Sequence, residues 1–181
     1  MGCQISDSEW VKLGTATSAL NDCELYFDDT ASITVPEMKA RARQLKNVDC
    51  IVIDYLQLMS SSKKTDNRVQ EVSEITRSLK MMAKDLNIPV VVLAQLARTT
   101  EGRGKSHKPQ LSDLRESGAI EQDADVVLML YRDAYYNEEN GNPAEAEVIV
   151  AKNRSGSTGT VKLGWQGEFT KFSNIDYVHE E

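Results

Sequence analysis

The stretch Leu111-Ser-Asp-Leu-Arg-Glu-Ser-Gly118, continuing Ala-Ile-Glu-Gln-Asp-Ala-Asp125, puts one arginine, one glycine and five carboxylates ahead of the apolar run Val126–Tyr131. An arginine can neutralise a phosphate, and a glycine lets a backbone N–H approach another. The acids can position the arginine and cap neighbouring segments. The plain alternative is a salt-bridged structural turn. Two more polar groups close apolar runs. Asp54 ends Ile51-Val-Ile, and an acid at a strand's carboxyl end in a nucleotide-binding α/β protein can hold Mg²⁺, usually through water. Gln95, in Leu-Ala-Gln-Leu, can sense a γ-phosphate or orient water. Taken alone, each is more readily a strand cap or turn residue, for Asp54, or a surface amide, for Gln95.

Gly104-Lys105-Ser106 has the look of a phosphate-binding loop, but it fails the pattern. Thr99 stands where the first glycine is needed, and Pro109 follows too soon for a phosphate-binding helix. The same segment reads better as a nucleic-acid contact. From Ala97 to Pro109 it sets Arg98, Arg103, Lys105 and Lys108 against Glu101 alone, with glycines that permit close backbone approach. Lys63, Lys64 and Arg68 stand against Asp66 in a second basic stretch. A solvated flexible loop is the competing reading.

These groups need a scaffold. At 181 residues and 40% hydrophobic content, the chain suits one domain with a core. A net charge of −7 argues against a generally basic nucleic-acid coat, though not against a local patch. Cys3, Cys23 and Cys50 form no CxxC pair, which makes a zinc site or a disulfide framework a poor fit. With no signal peptide and no long apolar run, the expectation is a cytoplasmic protein without a membrane partner.

The patterning predicts helices over 7–20, with Trp10, Leu13 and Leu20 on one face, and from a Thr34–Glu37 capping box to about Leu45. A third helix, 68–86, carries Val69, Val72, Ile75, Leu79, Met82 and Leu86 at three- and four-residue steps. Strands are expected at 26–30, Cys50–Tyr55, Ile88–Leu96, Asp125–Arg132, Glu145–Asn153, Thr158–Trp165 and Glu168–Phe172, with a hairpin turn at 155–159. Continuous apolar strands alternating with helices argue an α/β fold: a mostly parallel sheet with helices on both faces and C-terminal antiparallel hairpins.

IVIDYLQLM, EVSEITRSLKMMAKDLNIPVVVLAQLAR, LSDLRESGAIEQDADVVLMLYRD and AKNRSGSTGTVKLGW together resemble the C-terminal RecA-like motor domain of DnaB-type replicative DNA helicases. The likeness runs from about Asp7 to Asn174. It implies homohexameric rings that hydrolyse ATP with Mg²⁺ at subunit interfaces and translocate on single-stranded DNA to unwind duplex. It also implies primase and helicase-loader partners. Residue by residue, Asp54 matches the Mg²⁺-linked aspartate, and Gln95 the glutamine that couples nucleotide state to the DNA loops. Arg115, Glu116 and Gly118 match the loop that contacts the DNA backbone. Glu116 would itself repel phosphate, so its implied role is orienting or backbone-mediated. Lys152 and Arg154 match the basic pair that reaches a neighbour's triphosphate, with Arg154 as arginine finger.

The family's P-loop, catalytic glutamate and N-terminal helical domain have no counterpart in these residues. The chain is therefore read as a partial motor domain over 1–181, truncated at its N-terminus and inactive alone, with an apolar gap where a central strand is wanted. A non-catalytic RecA-like single-strand-binding or regulatory module is the alternative, and a recombination or clock-type ATPase a third reading. DLRESG followed by IEQDAD favours the first.

Overall fold

A computed structural model describes residues 5–21, 23–62, 67–96, 107–137 and 141–175, with all their side chains except those of residues 19 and 115–117. The chain divides into two compact units, Met1–Thr30 and Ala31–Glu181. In the first, helix α1 (Asp7–Asn21) starts where Glu9 accepts hydrogen bonds from the Ser6 N–H and hydroxyl, both at 2.7 Å. Trp10, Leu13 and Leu20 are all exposed. The strand expected at 26–30 does not form. Asp28 captures the Thr30 N–H at 3.1 Å as an Asx turn, and no described strand lies beside the segment to complete a ladder.

The second unit begins with α2 (Val35–Gln44), capped as expected: Glu37 accepts from the Thr34 N–H at 2.9 Å and its hydroxyl at 2.7 Å. Next come β1 (Ile51–Ile53), α3 (Arg68–Leu86) and β2 (Val90–Val92). Asn67 caps the start of α3 by accepting from the Val69 and Gln70 N–H groups, and Asn87 ends it in the left-handed region, φ 55°. The stripe Val72, Ile75, Leu79 and Met82 is buried and packs with Ile53, Leu56, Met59 and Val35. β1 and β2 run parallel, with Ile51 opposite Val90 and Ile53 opposite Val92. β2 is much shorter than the expected 88–96. β1 turns aside at a 3-10 turn over Leu56–Leu58, and pairing stops once Leu56 has bonded the Leu93 carbonyl.

A 3-10 segment, Leu111–Ser117, leads directly into α4 (Gly118–Asp123). A four-stranded antiparallel sheet follows in the order β3 (Val126–Tyr131), β4 (Glu145–Asn153), β5 (Gly159–Gln166), β6 (Lys171–Ser173). The expected turn at 155–159 joins β4 to β5. β6 starts later than expected because Thr170 takes a left-handed conformation, φ 50°, after the turn Gly167–Phe169.

Among the described strands, β1 and β2 pair only with each other, and β3 only with β4. The apolar runs are not buried on both sides. Val127, Met129 and Tyr131 point inward, while Val126, Leu128 and Leu130 are exposed, as are Val52 and Val91. Ile120 of α4 packs against both cores, so α4 links the two clusters.

Candidate nucleotide and DNA interface

β1 delivers Asp54 to its carboxyl end, exposed and without a hydrogen bond among the described residues; the Asp54–Tyr55 peptide is cis. Gln95, also exposed, follows β2 on the neighbouring strand. Gln57 binds it twice through the main chain, donating to the Gln95 carbonyl at 3.3 Å and accepting from its N–H at 3.4 Å. The same end of one parallel pair thus holds both groups. No set of three or more His, Cys, Asp or Glu side chains among the described residues forms a metal cage. A single open carboxylate fits Mg²⁺, which keeps most of its waters and takes one or two protein carboxylates alongside phosphate oxygens.

Asp113 builds the start of the Leu111–Ser117 segment. It is buried and accepts from the Gln110 N–H at 2.7 Å. Arg115 and Glu116 ride on this segment's backbone. Gly118 opens α4 in ordinary helical geometry, φ −49°, and a Cβ there would meet nothing within 4 Å. Glycine is thus not demanded by conformation or packing; its bareness leaves the backbone approachable. The other acids anchor α4. Asp123 accepts from the Thr76 hydroxyl of α3 at 2.7 Å, and Asp125 pairs with Lys80 of α3.

Lys152 and Arg154, at the end of β4, turn back onto the same helix. The Lys152 ammonium donates to the Glu121 and Gln122 carbonyls, the latter at 3.4 Å. The Arg154 guanidinium donates to the Gln122 carbonyl and lies 3.5 Å from an Asp125 carboxylate oxygen, while the Arg154 backbone N–H donates to the Asp125 backbone carbonyl at 2.9 Å. The hydrogen-bonded Lys80 ammonium holds the Asp125 carboxyl below the usual aspartate range, and Arg154 and Lys152 act in the same direction. The structure therefore brings the basic pair to the Arg115–Gly118 unit through α4, and leaves Asp54 and Gln95 on the other sheet.

Arg98, Arg103 and Lys105 lie outside the described residues, as do Lys63 and Lys64. Of the remaining basic positions, Lys108 is bound by Glu147 at 2.6 Å and sits over the Tyr131 ring, and Arg68 binds Glu71 and the Gln57 carbonyl.

An aromatic cavity of about 270 Å³ opens beyond β3. His107 stacks on Tyr136 with centroids 4.6 Å apart, and the Arg132 guanidinium lies 4.4 Å from the centre of the Trp165 ring. His107 Nδ1, Arg132 Nε and Trp165 Nε1 are buried without a hydrogen-bond partner among the described residues. Burial, and then a hydrogen bond to Asp133, push the Tyr131 hydroxyl above its ordinary value.

The family model of the DnaB-like helicase C terminal domain matches residues 1–174. This chain belongs to that family. A replicative DNA helicase DnaB of Geobacillus stearothermophilus is 46% identical over 182 residues, 98% of this chain and 40% of that protein. A replicative DNA helicase DnaC of Bacillus subtilis (strain 168) is 47% identical over 176 residues, 95% of this chain and 38% of that protein. A DnaB-like replicative helicase, solved in work on its interactions with primase, matches with a TM-score of 0.89 at 38% identity, over 96% of this chain and 44% of that one. A second solved structure, an ATPase domain, matches with a TM-score of 0.90 at 39% identity, over 96% and 62%. The fold is RecA-like. This DnaB-like domain spans about two-fifths of the length of the curated relatives it matches. No helix among the described residues is long and apolar enough to cross a membrane.

Three features of the DnaB-like domain escaped the sequence patterning. Arg132 was readable by the rule that also singled out Asp54 and Gln95, a polar residue ending an apolar strand. Gln57 and Trp165 carry no such signal, because each acts through a partner 33 or more positions away in the chain.

Proposed function

We infer that this chain is the C-terminal part of a replicative DNA helicase motor, which couples ATP hydrolysis to translocation on single-stranded DNA and duplex unwinding. The observation that carries this reading is the placement of Asp54 and Gln95 at one end of adjacent parallel strands. An acid suited to Mg²⁺ and an amide suited to a γ-phosphate there share a common edge, where α/β sheets take their ligands. Mg²⁺ bound by Asp54 would neutralise charge on the phosphates. Asp54 would hold such an ion through its waters, and Gln95, steadied by Gln57, would follow the phosphate state. The family's phosphate cradle is not among these residues, and the edges of β2 and β3 left unpaired among the described strands offer places where a further strand could add. The nucleotide's base takes the aromatic cavity, where Arg132 and Trp165 offer a stacking face and unsatisfied donors. Arg115, Glu116 and Gly118, with Arg98, Arg103 and Lys105, track the DNA backbone, and Lys152 and Arg154 serve the neighbouring subunit of a homohexamer. Primase and a helicase loader are the expected protein partners, in the cytoplasm.

The test uses the assembled ATP-hydrolysing protein that contains this chain. Arg154→Ala should leave nucleotide binding nearly intact and slow hydrolysis by roughly 10³-fold or more. Mixing Arg154→Ala subunits with subunits lacking a P-loop lysine should restore activity at interfaces that join an intact finger to an intact cradle. Failure of rescue in rings that exchange subunits would make Arg154 a structural residue. Robust ATP turnover by the isolated 181-residue chain, abolished by Asp54→Ala, would overturn the division of labour. DNA binding without nucleotide binding in the assembled protein would point to the non-catalytic module.

A further inference from the structure

Lys152 and Arg154 do not project freely. Both spend their charge on the last carbonyls of α4, which lack partners within the helix and attract cations. The Gln122 carbonyl is shared by the two side chains, and Asp125 grips Arg154 at the backbone and at the guanidinium. Asp125 is itself tied to Lys80 of α3. The N–H groups that Arg154 turns toward the Gln122 carbonyl and Asp125 are not free for another subunit's triphosphate, so full engagement there competes with this hold. The pair therefore has two competing stations.

α4 is only six residues long, and its first residue, Gly118, closes the segment that carries Arg115. A displacement at one end of so short a helix reaches the carbonyls at the other. Side chains at this hold are about half exposed, Asp125 at 56% and Arg154 at 49%, so the grip is weak enough to be reversible.

We propose that Asp125, with the Glu121 and Gln122 carbonyls, is a positioning site that sequesters the Lys152–Arg154 pair, and that single-stranded DNA engaging the Arg115–Gly118 segment shifts α4 and releases the pair toward the neighbouring triphosphate. This rests on the functional reading above. It adds Asp125 as the residue that keeps hydrolysis low until DNA is bound.

The experiment measures ATP turnover of the assembled protein with and without an oligothymidylate. Asp125→Asn keeps the backbone carbonyl and side-chain size but removes the charge. It should raise DNA-free turnover by about 5-fold or more, the lower end of ordinary coupling between sites, and shrink the stimulation by DNA accordingly. The KM for ATP should hardly move, and Asp125→Glu should restore the low DNA-free rate. Lys80→Met, which loosens Asp125 without touching the pair, should shift the rates in the same direction by less. A separate readout needs no activity: without nucleotide, acylation of the Lys152 amine should be slow in DNA-free protein and faster with saturating oligothymidylate. Unchanged stimulation in Asp125→Asn, or Lys152 acylation indifferent to DNA, overturns the proposal. The Arg154→Ala control separates the two levels. If it leaves turnover intact, the reading of the finger fails; if it abolishes turnover while Asp125→Asn changes nothing, only the sequestration fails.

Discussion

At the carboxyl ends of β1 and β2 the polar side chains stand open, whereas at the end of β4 they are gripped by their own chain. Among the described residues, Asp54 is exposed with no hydrogen bond, and Gln95 is held only through its backbone by Gln57. Lys152 and Arg154 are tied to Glu121, Gln122 and Asp125. The difference fits the roles proposed for them. A carboxylate that is to take a metal gains from an open coordination sphere that waters and phosphates complete. A cation proposed to act on another subunit can be held in reserve by carbonyls and a carboxylate of its own chain. The two sheets differ in the same sense. The parallel pair is two short strands on a buried helix, while β3–β6 is a continuous antiparallel ladder.

The sharpest break in this comparison comes from packing. Ile75→Ala removes a side chain 1% exposed between α3 and the parallel pair, and should cost about 2–5 kcal/mol in denaturant unfolding. Leu130→Ala on the open face of β3, 61% exposed, should cost far less. Equal losses would mean that the open face is covered in solution. Next comes Thr76→Ala, which leaves the Asp123 carboxylate short of its 2.7 Å donor. A hydrogen bond to a charged group is worth about 1.5–3 kcal/mol, and a melting curve unmoved by the change would remove this tie between α3 and α4.

Of similar or smaller size is the effect of Trp165→Ala on nucleotide affinity in the assembled protein. Base–aromatic stacking contributes about 1–3 kcal/mol, so Kd should rise about tenfold, with DNA affinity little affected. Unaltered nucleotide affinity would empty the aromatic cavity of its proposed role. The smallest effect is electrostatic. Asp125 has a carboxyl pKa lowered by Lys80, so its contribution to the folded state is present above the unfolded aspartate value and fades as pH falls through the lowered folded value. An NMR titration should find Asp125 titrating below ordinary aspartates, and moving up toward them in Lys80→Met. A normal value in the native chain would contradict the Lys80 contact.

Local elements were legible because their signals are local. The 68–86 helix appears as Arg68–Leu86, since its apolar stripe, its Asn67 cap and its left-handed Asn87 stop all lie within or beside it. The capping box at Thr34 and Glu37 forms as read. Glu145–Asn153 forms as a strand over the range expected for it. Errors arose where a partner decides the outcome. Residues 26–30 have strand-like composition but no neighbouring strand among the described residues, and 88–96 outlasts the partner that would have paired with it.

The same division holds for the site. Residue type and position at the end of an apolar strand made Asp54 and Gln95 candidates, because strand ends in α/β sheets are where polar groups meet ligands; their roles, and that of the DLRESG stretch, came from the resemblance to DnaB-type helicases. Sequence could not say that Asp123 and Asp125 of IEQDAD serve α3 and Arg154 of the β4–β5 turn, because those partners lie 29 to 47 positions away. Which face of each apolar strand is covered, that β2 and β3 keep an edge unpaired among the described strands, and that Lys152 and Arg154 rest on α4 depend on contacts between distant segments. Periodicity records how a segment meets its surroundings on average; only the packed chain decides which surroundings it has.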